Sequence, residues 1–448
     1  MHLRFSIRRG LDLPIAGRPQ QEVEPGPAIR QVALIGDDYV GLRPTFSVEE
    51  GDRVRLGEAL FHDKRVPGMR WTAPAAGRVA AVHRGAKRRF ESLVIELGDG
   101  GEETFASGAA DREGVRAALL ASGLWAALRT RPFGRIPHPD SSPHSIFVTA
   151  LDSRPLAPDP VQVIEGHEEE FVRGLRALSR LTEGAIHLCQ RPGAGLPGAD
   201  VERLEVHEFA GPHPAGLVGT HIHFVDPVDD KKTVWHVAYP DVVAIGHLLL
   251  TGRLQTERVV ALAGPALQRP ALVRTRLGAR IEDLLVGRLG EGPVRIVSGS
   301  VLDGRAAVAP HAYLGRHHLQ VSVISDERPR PRLGWARPGF DRFSVKPAFA
   351  GFLRGLAGRR RELSFTTAAN GDPRPIVPIG SYEKVMPLDL LPTPLLKALA
   401  VGHAERARAL GCLELEEEDL ALCSFVCPSK QDFGPRLREV LERLEREG

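Results

Sequence analysis

No stretch of this sequence comes near the ~18 to 20 uninterrupted apolar residues that a membrane-spanning helix requires. The best candidate, Val242 to Leu250, is nine residues long and contains His247. The chain is therefore expected to be water-soluble, with its apolar residues folded inward. At 448 residues it is longer than one core supports, since single cores stop growing near ~250 to 300 residues. With 42% hydrophobic and 26% charged residues, several cores can be filled, and roughly three or four domains are expected. The opening MHLRFSIRRGLDLP has basic residues but no apolar block ahead of a small-residue cleavage site, which points to the cytoplasm. A net charge of +3 on 59 basic and 56 acidic residues falls short of the basic stripe of a nucleic-acid binder. Cys189, Cys412, Cys423 and Cys427 are too few for a disulfide framework at this length, and reduced thiols are expected.

The first hundred residues read as short strands with frequent turns. Val32 to Gly36 is one strand, and V-x-x-G-D-x-V-x-x-G-x-x-L runs from Val48 to Leu60, with Glu50, Gly51 and Asp52 making its turn. A Pro-Gly hairpin, VPGM, is expected next, followed by a second Gly-turned half-motif from Ala73 to Val79. The pair resembles the barrel-sandwich hybrid of lipoyl and biotinyl domains. From Ser145 strands and helices alternate: Ile146 to Leu151 is a buried strand, Glu168 to Leu181 an amphipathic helix with Phe171, Leu175, Leu178 and Leu181 on one face, and AIHLCQ the next strand. This alternation implies a parallel, Rossmann-like layer. Its first turn reads DSRPLAPDP rather than G-x-G-x-x-G, and prolines remove the donors a pyrophosphate needs, so NAD or FAD binding there is rejected. Strands at Arg258 to Leu267, from Leu272 toward a short helix ending at Leu285, and at Val294 to Gly304 suggest a β-grasp unit. Leu395 to Leu410 and Pro435 to Glu447 read as helices around a CSFVCPSKQDFG loop.

The expected build is α+β and multidomain: a barrel-sandwich hybrid over 1–105, a Rossmann-like α/β domain over 106–255, a β-grasp (SLBB-like) domain over 256–330, a linker with strands over 331–375 and a small helical domain over 376–448.

Seven segments then agree in order and spacing: GLDLPIAGRP at Gly10, TAPAAGRV at Thr72, RGAKR at Arg84, SGLWAALRTRPF at Ser122, GPHPAGLVGTHIHF at Gly211, PHAYLGRHH at Pro310 and GCLELEEEDLALCSFVCPSKQDFG at Gly411. Together they resemble the NqrA family, one of the subunits of the bacterial sodium-translocating NADH:quinone reductases, which is similar in turn to the iron-sulfur subunit of the Rnf complex. The resemblance implies a peripheral subunit on the cytoplasmic side of the inner membrane, associated with the membrane only through its partners. Those are the other five subunits of a sodium-exporting translocase, chiefly the quinone-reducing membrane subunit. It implies that NADH, the flavins and the iron-sulfur centre belong to other subunits, that this chain binds no cofactor of its own, and that quinone is its possible ligand. Two other classes stay open: a self-standing flavin or iron-sulfur electron carrier, and a lipoyl-type carrier.

The candidate residues follow. Asp63 and Lys64 occupy the region of a lipoyl hairpin, but the Pro-Gly turn is expected to displace Lys64 from the tip, leaving a plain surface lysine. Cys412, Cys423 and Cys427 keep only C-x-x-x-C-P of a cluster motif and would need His403 or an acid to complete a zinc set, so an empty loop is expected. His213, His221, His223 and Phe224 form the speculative quinone site. His-x-His on a strand would aim both rings to one face, with Pro212 and Phe224 as apolar walls. Structural histidines are the blander reading of the same residues. Glu416 to Asp419 read as a solvated helix N-terminus favoured by the macrodipole, and Arg328 to Arg337 as a linker able to meet lipid headgroups.

Overall fold

The computed structural model describes residues 3–327, 338–340, 342–346, 348–351 and 362–447. The Arg328 to Arg337 cluster and part of the expected 331–375 linker, including 352–361, lie outside them.

Two small antiparallel sheets come first. Gln31–Ile35, Phe90–Leu97, Gly77–Arg84 and Arg53–Val54 form one; Pro44–Phe46, Ala59–Asp63 and Val66–Thr72 form the other. They close on an aromatic cluster in which Phe61 stacks on Trp71 with centroids 5.4 Å apart, while Phe90 meets Phe46 and Phe61 edge-on. Gly51 makes the expected turn at φ +99°, a conformation L side chains rarely adopt. The Pro-Gly hairpin is not there. Asp63 pairs with Val66, so Lys64 and Arg65 are the turn, and Pro67 and Gly68 fall in a register shift along the strand Val66–Thr72. That strand is the sheet's edge, where a residue without an N–H is tolerated. Lys64 therefore stands exposed at the hairpin tip, not displaced from it.

In the next sheet five strands run parallel in the order Leu3–Ser6, Leu204–Ala210, Ile186–Gln190, Ile146–Ala150 and Val234–Ala238, with Arg129–Arg131 antiparallel at the far edge. Alternate strand residues face opposite sides. Ile146 and Val148 pack toward the helices Glu168–Arg180 and Tyr239–Thr251, whereas Phe147 and Phe209 pack toward the helix Val218–Val225. Phe171, Leu175, Leu178 and Leu181 are buried, as their spacing predicts. The first two helices touch through glycine: a Cβ on Gly246 would come within 1.7 Å of the Glu170 carbonyl oxygen.

A third sheet has the order Arg305–Ala306, Val294–Ser298, Gln320–Ser325, Glu257–Ala263, Ala271–Arg276 and Val23–Pro25, with the short helix Ile281–Leu284 in its core. Helices Pro392–Ala400, Ala404–Ala409, Glu417–Val426 and Gly434–Glu447 close the chain around a separate core. The expected 395–410 helix is two helices, parted at Gly402 with φ +67°. Cys423 to Val426 extend a helix rather than begin the loop.

Contiguity in sequence assigned residues 1–105 to one unit. In the structure Leu3–Ser6 is the edge of the parallel sheet and Val23–Pro25 the edge of the third. Such partners lie far away in sequence and leave no local signature.

Candidate functional site

The Gly211–Phe224 segment does not form the expected strand. After Pro214 to Leu217 it becomes the helix Val218–Val225, where residues two apart point about 200° away from one another. Its β-branched Val218, Thr220 and Ile222 imitate a strand, but the burial of Val218 and Ile222 against Phe147 and Phe209 decides the outcome. His221 points into the core. Its Nε2 donates to the Ala215 carbonyl at 3.0 Å and its ring lies 4.4 Å from that of Phe209. His223 points the other way, toward the C-terminal helices: Nε2 accepts from the Asp389 N–H at 2.9 Å, so the proton sits on Nδ1, which faces the Glu414 carboxylate at 2.7 Å. His213 is buried at the base of the segment, with Nδ1 3.1 Å from the Ser153 hydroxyl. Burial lowers its pKa to about 4, with nearby Arg154 adding to the effect, and burial lowers that of His221 to about 3. Phe224 is 38% exposed and packs on Phe5 and His223. The four expected quinone residues thus share a segment, with His221 and His223 turned to opposite sides of its helix.

The residues that do converge lie at the carboxyl ends of the parallel strands, where open α/β sheets place their ligands. A cleft of about 970 Å³ opens there, lined by Asp152, Arg154, His236, Asp303, His318 and Glu418 among others. The turn Asp152 to Pro160 supplies Arg154, whose Nε donates to Asp303 at 2.6 Å and whose Nη2 donates to Glu418. Burial pushes the Asp303 carboxyl up, but Arg154 more than reverses this and holds it below its ordinary value. The cleft is therefore crossed by an ion-pair chain joining the parallel sheet to the third sheet and to the C-terminal helices.

Beside it the acidic run is not solvated. Glu416 caps the helix Glu417–Val426 in a capping box with Asp419, so the expected helix start is right. Both acids are nevertheless buried around Arg131, which has no exposed surface. Arg131 Nη1 donates to Asp419 at 2.8 Å and to the Glu414 carbonyl at 2.7 Å, and its Nε lies 3.1 Å from Glu416. Burial would raise the Glu416 pKa; the guanidiniums of Arg131 and Arg129 keep it well below the ordinary range. Sequence reading missed Arg131 because nothing in SGLWAALRTRPF marks one arginine as buried. The only signal was an excess of acids at one helix start, read as exposed.

The C-terminal thiols are also inward. Cys412, Cys423 and Cys427 are buried, and Cys427 Sγ lies 3.1 Å from the Tyr382 hydroxyl. Burial pushes the Cys412 and Cys423 thiols up to about 12, away from the thiolate a metal needs. His403 caps its own helix, Nδ1 accepting from the Arg406 N–H at 3.4 Å.

Compared with known proteins, the chain is 53% identical to the NqrA protein of the Na(+)-translocating NADH-quinone reductase of Rhodopirellula baltica, over 99% of this chain and 98% of that protein. The chain belongs to the NqrA family. The NqrA proteins of Neisseria gonorrhoeae and Serratia proteamaculans are each 52% identical over 99% of this chain and their full length. The NqrA N-terminal barrel-sandwich hybrid domain matches residues 5–98, the NqrA second alpha/beta domain residues 110–254, and the NQRA C-terminal domain residues 259–309. Among solved structures, a chain of an NAD+-reducing [NiFe]-hydrogenase aligns over 49% of this NqrA chain and 48% of its own, at 15% identity and a TM-score of 0.35, too weak a likeness to decide anything.

Proposed function

We propose that this NqrA chain is the peripheral subunit of a sodium-translocating NADH:quinone reductase, held on the cytoplasmic side of the bacterial inner membrane. Its partners are the other five subunits, chiefly the quinone-reducing membrane subunit. The observation that carries this reading is full-length identity above one half with proteins of that name. It agrees with the finding that no helix among the described residues is long and apolar enough to cross a membrane. In this reading flavins, the iron-sulfur centre and NADH belong to other subunits, and this chain binds no redox cofactor. Support comes from the first strand-to-helix turn, which reads DSRPLAPDP and carries Arg154 into ion pairs with Asp303 and Glu418 across the cleft, and from thiols buried in a helical core. We read the six-stranded third sheet with its one short helix as a β-grasp unit, and the parallel sheet as Rossmann-like. His213, His221 and His223 each contact the protein itself, which favours structural histidines over direct ligands of a quinone.

The test is purification of the tagged chain from its native membrane. Co-purification of the other subunits in equal amounts is expected, with sodium-dependent NADH:quinone reduction lost when the gene is deleted. The isolated chain should be colourless and show no saturable binding of a short-chain quinone. A chain that purifies alone from an unaffected membrane activity would overturn the assignment, and stoichiometric flavin or iron would overturn the cofactor-free reading.

A further inference from the structure

At the end of the parallel sheet away from the cleft, the strands Ile186–Gln190 and Leu204–Ala210 set His187 directly opposite Glu205, with His207 one pleat further along. Residues two apart on a strand share a face, so Glu205 and His207 project together and meet His187. His187 Nδ1 lies 3.0 Å from His207 Nε2, and Glu205 Oε2 stands 3.7 Å from each of those nitrogens. Among the described residues this is the one group of three or more His, Cys, Asp or Glu side chains whose donor atoms converge so closely.

We propose that this triangle is one face of a tetrahedral site for a first-row divalent transition-metal ion of the zinc type, with water or an outside ligand in the fourth position. Ligand atoms ~2.0 to 2.1 Å from a tetrahedral zinc are about 3.3 Å apart. The two nitrogens need to separate, and the carboxylate to approach, by only a few tenths of an ångström. Two imidazoles and one carboxylate suit zinc, cobalt, nickel or copper and not the oxygen-seeking magnesium or calcium. His187 packs against Phe147 and His207 against Phe5, an apolar backing that keeps water from the inner side. The open side is a cavity lined by Pro143, His144, Glu183, Val225 and Asp226, which gives both a path of entry and room for the fourth ligand. A hydrogen-bonded histidine pair brings only two donor atoms together; here a carboxylate oxygen also stands 3.7 Å from both nitrogens and completes the triangle.

The test uses the full chain without a histidine tag, freed of metal with a chelator and titrated with zinc ion by calorimetry and with cobalt ion by visible absorption. One ion per chain is expected, with the strong visible bands of four-coordinate cobalt. Glu205→Gln should weaken zinc binding at least tenfold, and His187→Gln should abolish it. Because His187 is buried, its variant could fail to fold. Glu205 is one-third exposed, and the melting temperature of metal-free Glu205→Gln should match the parent, so that variant decides the matter alone. No saturable zinc binding by the parent, or equal binding by parent and Glu205→Gln, would overturn the proposal, the second result placing the ion elsewhere.

Discussion

The segments Gly211–Phe224 and Glu414–Asp419 are both short runs dense in titratable groups, and in the fold they press against each other. His223 faces Glu414, and Gly219 leaves room for the Asp419 carboxylate, whose oxygen lies 2.2 Å from where a Cβ would stand. They differ in how an element distributes side chains. His221 and His223 sit two apart on a helix and are sent to opposite sides. Glu416 and Asp419 sit one turn apart and converge on a single arginine. Spacing fixes convergence only once the element is known, and a partner from elsewhere in the chain fixes whether convergence means solvent or core.

The largest expected effect lies on the acidic side. Arg131→Ala strands the buried Asp419 carboxylate and leaves Glu416 with Arg129 alone, and breaking a buried pair from one side costs ~3 to 5 kcal/mol. Denaturant unfolding of the full chain should show that loss; one below about 1 kcal/mol would mean that water reaches the acids after all. On the histidine side, His221→Phe leaves the Ala215 carbonyl without its donor and should cost ~1 to 3 kcal/mol. Unchanged stability together with weakened binding of a quinone analogue would instead restore the segment as a ligand pocket.

The two sides also separate by pH. With its pKa lowered to about 3 in the fold against 6.5 when unfolded, His221 takes up a proton more readily in the unfolded chain. Its contribution is complete above about pH 6.5 and is lost as pH falls from there toward 3. Each such site steepens the loss by at most ~1.4 kcal/mol per pH unit. The stability curve of His221→Phe should be shallower over that range by up to this amount, and a slope equal to the parent's would show that the ring is protonated in the fold. The smallest effect belongs to Glu417, the half-buried and least covered member of the acidic run, which pairs with Arg438 at 2.6 Å. Glu417→Gln should change stability by less than ~1 kcal/mol and respond to salt; a larger loss would extend the buried network to the surface.

Periodic features were readable in advance. The apolar stripe from Phe171 to Leu181 predicts its helix, and the Gly51 turn predicts its φ, because each depends on neighbours in sequence. The errors share the opposite cause. The V-x-T-x-I alternation at 218–222 imitates a strand until two phenylalanines from the sheet bury it as a helix. Pro67 and Gly68 look like a turn until strand pairing places the turn at Lys64. Arg131, and the meeting of His187 with His207, depend on contacts across many residues that no local pattern records.

The two amino-terminal strands carry a consequence for the time course of synthesis. Leu3–Ser6 pairs with His207 to Ala210, and Val23–Pro25 with Leu272 to Arg274. At ~5 to 20 residues per second, the first of these strands waits on the order of ten to forty seconds for its partner to be made. Until then the beginning of the chain has nowhere to go, and the sheet that finally receives it emerges with an open edge, the surface on which strands from other chains can pair. These strands therefore leave the ribosome long before the partners on which they dock, and whatever shields them meanwhile decides how much of the protein reaches its fold.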